Sequence, residues 1–220
     1  MKYGAVIFDL DGTLIDSEPV FKAVAKDAAR DLDRCFTDEL YLSLVGLPNA
    51  EVASGIVDAF GQDFPLDDFV NRFESRWLAH VSEHGIAVKP GAHGLLDRLC
   101  DLSVPYAVAT STPRERAQLS LNLAGIGDRF DHVIGGDEVE NGKPAPDIYL
   151  KAAKTISTAP TECIAIEDSA VGVRAASAAK MYTIMVPDLK TPDAETRELV
   201  TKVLPSMDAA IACVLDLLEA

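Results

Sequence analysis

A chain of 220 residues is long enough for one sizeable core with a smaller satellite unit. Hydrophobic residues make up 48% and charged residues 25%, an ordinary globular balance, and the formal net charge of −15 argues against a nucleic-acid or anionic-membrane surface. No apolar run nears the roughly 20 residues of a membrane span, and the N-terminus enters a strand with no signal-peptide layout, so a cytoplasmic, soluble protein is expected. The four cysteines, Cys35, Cys100, Cys163 and Cys213, form no CxxC pair and read as buried thiols in a reducing compartment.

In chain order, Gly4 to Phe8 is a short apolar run suited to a strand buried on both faces. It ends abruptly in Asp9, with Asp11, Gly12 and Thr13 following. Two carboxylates where a buried strand stops raise each other's pKa unless a cation or proton neutralises them. Ser17-Glu-Pro19 then predicts a helix start, with Ser17 as the cap, and Phe21, Val24, Ala25, Ala28 and Leu32 recur at helical spacing. Thr37-Asp-Glu39 starts a second helix that stops at Gly46, and Asn49 is placed to cap a third through Phe60. Pro65 to Val81 predicts a fourth, whose apolar face takes Leu66, Phe69, Val70, Phe73, Trp77 and Val81. This aromatic stripe reads as the core of a small helical bundle.

From Ile86 the pattern alternates. Helices are expected over 92–102, 113–124, 145–156, 170–179 and 207–218, and strands over 106–109, 132–134, 163–166 and 182–186. Strands alternating with helices predict an α/β fold, a doubly wound parallel sheet covered on both faces, which the opening strand joins. The expected domains are therefore a Rossmann-like core of residues 1–16 and 86–220 and an all-helical insertion of residues 17–85.

In an open α/β sheet, ligands bind beyond the carboxyl ends of the strands. Three strands here end in polar residues: Asp9 and Asp11; Thr110-Ser111-Thr112; and Glu167-Asp168. A fourth group is Gly142-Lys-Pro-Ala-Pro-Asp147, where Lys143 is the lone base in an acidic neighbourhood. Carboxylates from two strands can hold Mg²⁺, which prefers hard oxygen ligands. A hydroxyl with backbone N–H groups at a helix start, plus a lysine, suits a phosphate. One Asp can act as a covalent nucleophile and a second as general acid and base.

Asp9-Leu-Asp-Gly-Thr-Leu-Ile-Asp-Ser-Glu18 resembles the first signature of the haloacid dehalogenase superfamily of phosphohydrolases. Thr110, Lys143 and Glu167-Asp168 resemble the second, third and fourth motifs, in the family's order. Gly142-Lys-Pro-Ala-Pro-Asp-Ile-Tyr149 and Glu167-Asp-Ser-Ala-Val-Gly172 are similar to forms of the β-phosphoglucomutase-like branch, which carries a helical cap after the first motif. The resemblance implies Asp9 as nucleophile and Asp11 as acid and base. It implies Thr110, Lys143 and the Ser111 backbone N–H as phosphate binders. As metal positions for Mg²⁺ it implies Asp9, the Asp11 carbonyl, Asp168 and Glu167, the last as a ligand or a partner of one. Gly46-Leu-Pro-Asn49 resembles the cap's specificity loop, so Gly46 and Asn49 are expected to help choose the substrate.

The implied activity is a Mg²⁺-dependent phosphatase acting through an aspartyl-phosphate on a small phosphorylated metabolite, a sugar or polyol phosphate, with the protein a monomer or weak dimer. A phosphosugar mutase is the alternative. Phe21 and Asn49 stand where the mutases carry a His and an Arg, and Asp11 argues against dehalogenase chemistry. Lys180 departs from the glycine that relatives place between the preceding helix and strand.

Overall fold

Short apolar runs alternating with amphipathic helices fold as a six-stranded, all-parallel sheet in the computed structural model of the chain. The structure describes residues 2–219, except for the side chain of Asn49. The chain forms two units, Met1–Asp16 with Ala87–Ala220, and Ser17–Ile86.

The first unit holds the strands β1 (Ala5–Phe8), β2 (Tyr106–Ala109), β3 (Val133–Ile134), β4 (Cys163–Glu167), β5 (Tyr182–Met185) and β6 (Lys202–Val203). Their order is β3-β2-β1-β4-β5-β6. The chain winds outward from β1 on one side and then returns to pair β4 on the other. This reversal between β1 and β4 is the switch point where doubly wound sheets open a ligand crevice. The register aligns Phe8 with both Val108 and Ile166, so the residues just beyond β1, β2 and β4 emerge on one edge. All of β1 and β4 is buried, which is why both read as apolar runs.

The connecting helices are numbered after the four of the second unit: α5 (Ala92–Asp101), α6 (Arg114–Leu123), α7 (Asp147–Thr155), α8 (Ala170–Ala178), α9 (Ala194–Leu199) and α10 (Met207–Glu219). Ile148, Tyr149, Ala152 and Ala153 of α7 and Ala175 and Ala176 of α8 bury one sheet face through Ala5, Ile7, Ala107, Ala109 and Ala165. Alanines on both surfaces let the helices approach closely.

The second unit holds α1 (Glu18–Arg30), α2 (Asp38–Leu44), α3 (Asn49–Phe60) and α4 (Leu66–His84). Its core gathers Ala25, Ala28, Ala29, Phe36, Tyr41, Leu44, Ile56, Phe64 and Phe69, with the Phe36 and Phe69 rings stacked 2° from parallel. Val70 of the expected apolar face is 45% exposed, because α4 turns a strip narrower than the stripe toward this core.

Other expectations need correction. Ser17 precedes α1 in a helical conformation and makes no side-chain cap bond, and Pro48 rather than Asn49 occupies the cap position of α3. Cys163 and Cys213 are buried, but Cys35 and Cys100 are exposed. Cys35 lies in the loop after α1, and Cys100 is in the last turn of α5, outside its buried set of Ala92, Leu95, Leu96 and Leu99. The strand β6 and the helix α9 carry too little apolar pattern to be read. Two residues make β6, and α9 is six residues long, held at its start by Asp193 Oδ1 accepting from Thr196 N at 2.8 Å. Lys180 sits at φ 64°, in the left-handed region where glycine is favoured.

Candidate active site

Asp9 is the first residue past β1, tied to the sheet by its N–H donating to the Ile166 carbonyl at 2.9 Å. The chain then turns back on itself: Gly12 N donates to Ile15 O, and Leu14 N to Leu10 O, both at 2.9 Å. Gly12 is needed twice over. It adopts φ +83°, and a Cβ there would stand 2.5 Å from Asp168 Oδ2.

Lys143 links the third motif to the other two strands. Its ammonium donates to Asp9 Oδ1 at 2.6 Å and to Glu167 Oε1 at 2.5 Å, and it is buried with them. The Lys143–Pro144 peptide bond is cis. Glu167 also accepts from the Tyr149 hydroxyl at 2.6 Å on Oε1, and on Oε2 from Asp168 N at 3.2 Å, Ser169 N at 3.3 Å and Ser169 Oγ at 3.0 Å. An ionised carboxylate offers about four acceptor positions, so these donors saturate Glu167 and hold it rigid.

Burial raises the Asp9 carboxyl, and the neighbouring Glu167 and Asp11 add to the rise against the lowering effect of Lys143, leaving it at about 8. Burial works against the Lys143 charge as well, but Asp9 and Glu167 outweigh it and hold the ammonium above its ordinary range. Burial also lifts the Tyr149 phenol, with Glu167 adding to the rise, so Tyr149 is a donor at any working pH.

Asp11 lies two residues on, where the Thr112 hydroxyl donates to its Oδ2 at 2.7 Å. Thr110 closes β2, buried, its Oγ1 accepting from Thr112 N at 3.1 Å, which leaves its own O–H to donate elsewhere. Ser111 is exposed at the same edge. Arg114, at the start of α6, pairs with Glu138 at 3.3 Å. Gly46 lies between α2 and α3 at φ +75°, in the helical unit with Asn49, whose side chain falls outside the described residues.

The sheet edge thus brings together Asp9, Asp11, Thr110, Lys143, Glu167 and Asp168. Carboxylate oxygens of Asp9, Glu167 and Asp168 lie within 4.8 Å of one another, a spacing a metal ion can bridge. Two members escaped the sequence reading: Thr112, which holds Asp11, and Tyr149, which holds Glu167. Both stand in quoted motif segments, but nothing local distinguishes them from a cap residue and a core aromatic.

Gly172 supplies a further test. A Cβ there would stand 1.8 Å from Glu167 Oε1 and 2.1 Å from Oε2. Glu167 cannot retreat without releasing Lys143, Tyr149 or Ser169. Gly172→Ala is expected to cost about 1 to 3 kcal/mol, as overpacked cores do, lowering the melting temperature by roughly 3 to 10 °C. Calorimetry of the variant beside the wild type checks this.

The strand order, the two carboxylates after β1 and the lysine and acidic pair on neighbouring loops define a class of enzyme. The chain belongs to the haloacid dehalogenase-like hydrolases, whose family model matches residues 6–186. Within them it lies on the β-phosphoglucomutase-like branch. It is 32% identical over 180 residues to a phosphorylated carbohydrates phosphatase of Thermotoga maritima, covering 82% of this chain and 83% of that one. It is 34% identical over 185 residues to a bifunctional riboflavin kinase/FMN phosphatase of Arabidopsis thaliana, covering 84% of this chain and only 48% of that longer one. A solved structure of CbbY from Rhodobacter sphaeroides in complex with xylulose-(1,5)bisphosphate superposes with a TM-score of 0.80 at 26% identity, over 94% of this chain and 95% of that one. Among the described residues, no helix is long and apolar enough to cross a membrane.

Proposed function

We propose that this phosphoric monoester hydrolase removes phosphate from a small phosphorylated metabolite, a sugar or polyol phosphate, with Mg²⁺ bound. The observation that carries the reading is the buried Asp9–Lys143–Glu167 chain beside Asp11: a carboxylate fixed for attack and a second one within reach of the same centre. The phosphorylated carbohydrates phosphatase and the sugar bisphosphate bound by CbbY support the substrate class.

In this proposal an Asp9 oxygen attacks phosphorus and the ester P–O bond breaks, while the Asp11 carboxyl gives its proton to the leaving oxygen. Asp11, now ionised, takes a proton from water. The water oxygen attacks phosphorus, and the P–O bond to Asp9 breaks to release phosphate. Thr112 orients Asp11 for both transfers, and Thr110 and Lys143, with the Ser111 N–H, bind the phosphoryl oxygens. Asp9 and Asp168 would hold the Mg²⁺ with the Asp11 carbonyl, Glu167 being saturated by its donors and so cast as the residue that positions Lys143. When bound, the ion supplies positive charge against the phosphoryl oxygens. Gly46 and Asn49 remain proposed specificity positions.

A screen of phosphorylated metabolites tests the reading: phosphate release with Mg²⁺, abolished by EDTA, is expected from sugar or polyol phosphates. Conversion of a hexose 1-phosphate to its isomer without phosphate release would establish a mutase instead.

The raised Asp9 carboxyl has its own consequence. In the metal-free chain it holds a proton up to about pH 8, against an ordinary value of 3.8. The folded state then binds more protons than the unfolded state between these values, so metal-free stability is expected to fall as pH rises through that window. A cation at Asp9 must displace the proton, so apparent Mg²⁺ affinity should rise with pH to about 8. Calorimetric titrations in buffers of different ionisation heat should register proton release at neutral pH.

A further inference from the structure

One more carboxylate reaches this end of the sheet from outside the four motifs. Asp188 follows β5, and its Oδ1 accepts from Lys89 Nζ at 2.8 Å, a lysine that also reaches Asp16 Oδ1 at 3.4 Å. The second oxygen, Oδ2, is buried and has no hydrogen-bond partner among the described residues. A buried acceptor left unmatched is costly, and this one faces the site. A Cβ at Gly12 would stand 2.5 Å from Asp168 Oδ2 and 3.3 Å from Asp188 Oδ2, so both oxygens close on the space that glycine leaves. Converging carboxylate oxygens repel one another unless positive charge or a donor comes between them. Lys89 engages only Oδ1 of Asp188.

We infer that Asp188 is a positioning residue for the proposed divalent cation, its buried Oδ2 accepting from the ion's water while Lys89 clamps Oδ1. The inference rests on the metal reading above. Mg²⁺ keeps several of its waters in protein sites, and outer partners of this kind change metal affinity by about 10- to 100-fold. Gly12 then has a further reason: any side chain there would fill the space between Asp168 and Asp188.

Mn²⁺ binding to the full chain, followed by paramagnetic resonance of the free ion, tests this with Asp188→Asn, Asp188→Ser and Asp16→Asn. Both Asp188 variants are expected to bind Mn²⁺ about 10-fold or more weakly. Asp16→Asn, which loosens Lys89 without touching Oδ2, should bind as the wild type does, and all three should melt like the wild type in EDTA. Unchanged affinity in both Asp188 variants overturns the inference and leaves the metal reading standing. An equal loss in Asp16→Asn also overturns it, by assigning the effect to the clamp. Wild-type protein that fails to bind Mn²⁺ overturns the metal reading, and this inference with it.

Discussion

Asp9→Asn is expected to lower hydrolysis of a generic aryl phosphate by roughly 10⁴-fold or more, the scale on which loss of a nucleophile acts in other hydrolases. The amide keeps the size of the carboxylate and can still accept from Lys143, so the change removes a charge and a nucleophile with little disturbance of packing. The same buried carboxylate is a burden on the fold, its charged form disfavoured by burial and by the neighbouring Glu167 and Asp11. The metal-free variant is therefore expected to melt at or above the wild-type temperature at pH 8, the sign of a group kept for chemistry rather than stability. Steady-state rates and calorimetry on one preparation separate the two effects. A variant retaining a rate within tenfold of wild type would sink the nucleophile assignment.

Lys143→Met should damage both properties at once. Its ammonium lies between Asp9 and Glu167, at 2.6 and 2.5 Å, with 4% of the side chain exposed. Removing one partner of a buried ion pair leaves uncompensated charge, at a cost of about 3 to 5 kcal/mol, or roughly 10 °C in melting temperature for a chain this size. The deficit should grow as pH rises above about 8, where the wild-type Asp9 carboxyl ionises against the ammonium while the variant's is held protonated. Activity should fall by at least about 10²-fold, the scale of one lost electrostatic contact to the reacting group. Lys143→Arg is not a conservative control, since a planar guanidinium fork would replace a compact ammonium held at 2.6 and 2.5 Å from these oxygens. Melting curves at pH 7 and pH 9 carry the test. Equal deficits at both would show that Lys143 acts through packing, not charge.

The polar edge of the sheet was legible in the sequence because a strand buried on both faces tolerates little but apolar residues. Asp9 after Gly4 to Phe8, Thr110 after Tyr106 to Ala109, and Glu167-Asp168 after Cys163 to Ile166 each stand out as a break in such a run. The helical insertion was legible from spacing alone, since Phe69, Phe73 and Trp77 repeat with the turn of a helix. Helix ends were less legible. Pro48 displaced Asn49 from the cap position, and Ser17 was held with its side chain uncapped, because caps depend on where the chain enters and not only on residue type.

Which longer segments become strands and helices, and the character of the strand ends, follow from local composition, because hydrophobic period and turn residues act over a few neighbouring positions. Which side chains touch does not. Thr112 meets Asp11 across 101 residues, Tyr149 meets Glu167 across 18, and Lys89 meets Asp188 across 99. The edge strand β6 exists only through its pairing with β5, two residues too short to announce themselves. These contacts are set when the β1–β4 reversal closes the sheet. Only then do a carboxylate, its lysine and that lysine's second anchor lie within hydrogen-bonding distance, sheltered from water where their charges act most strongly on one another.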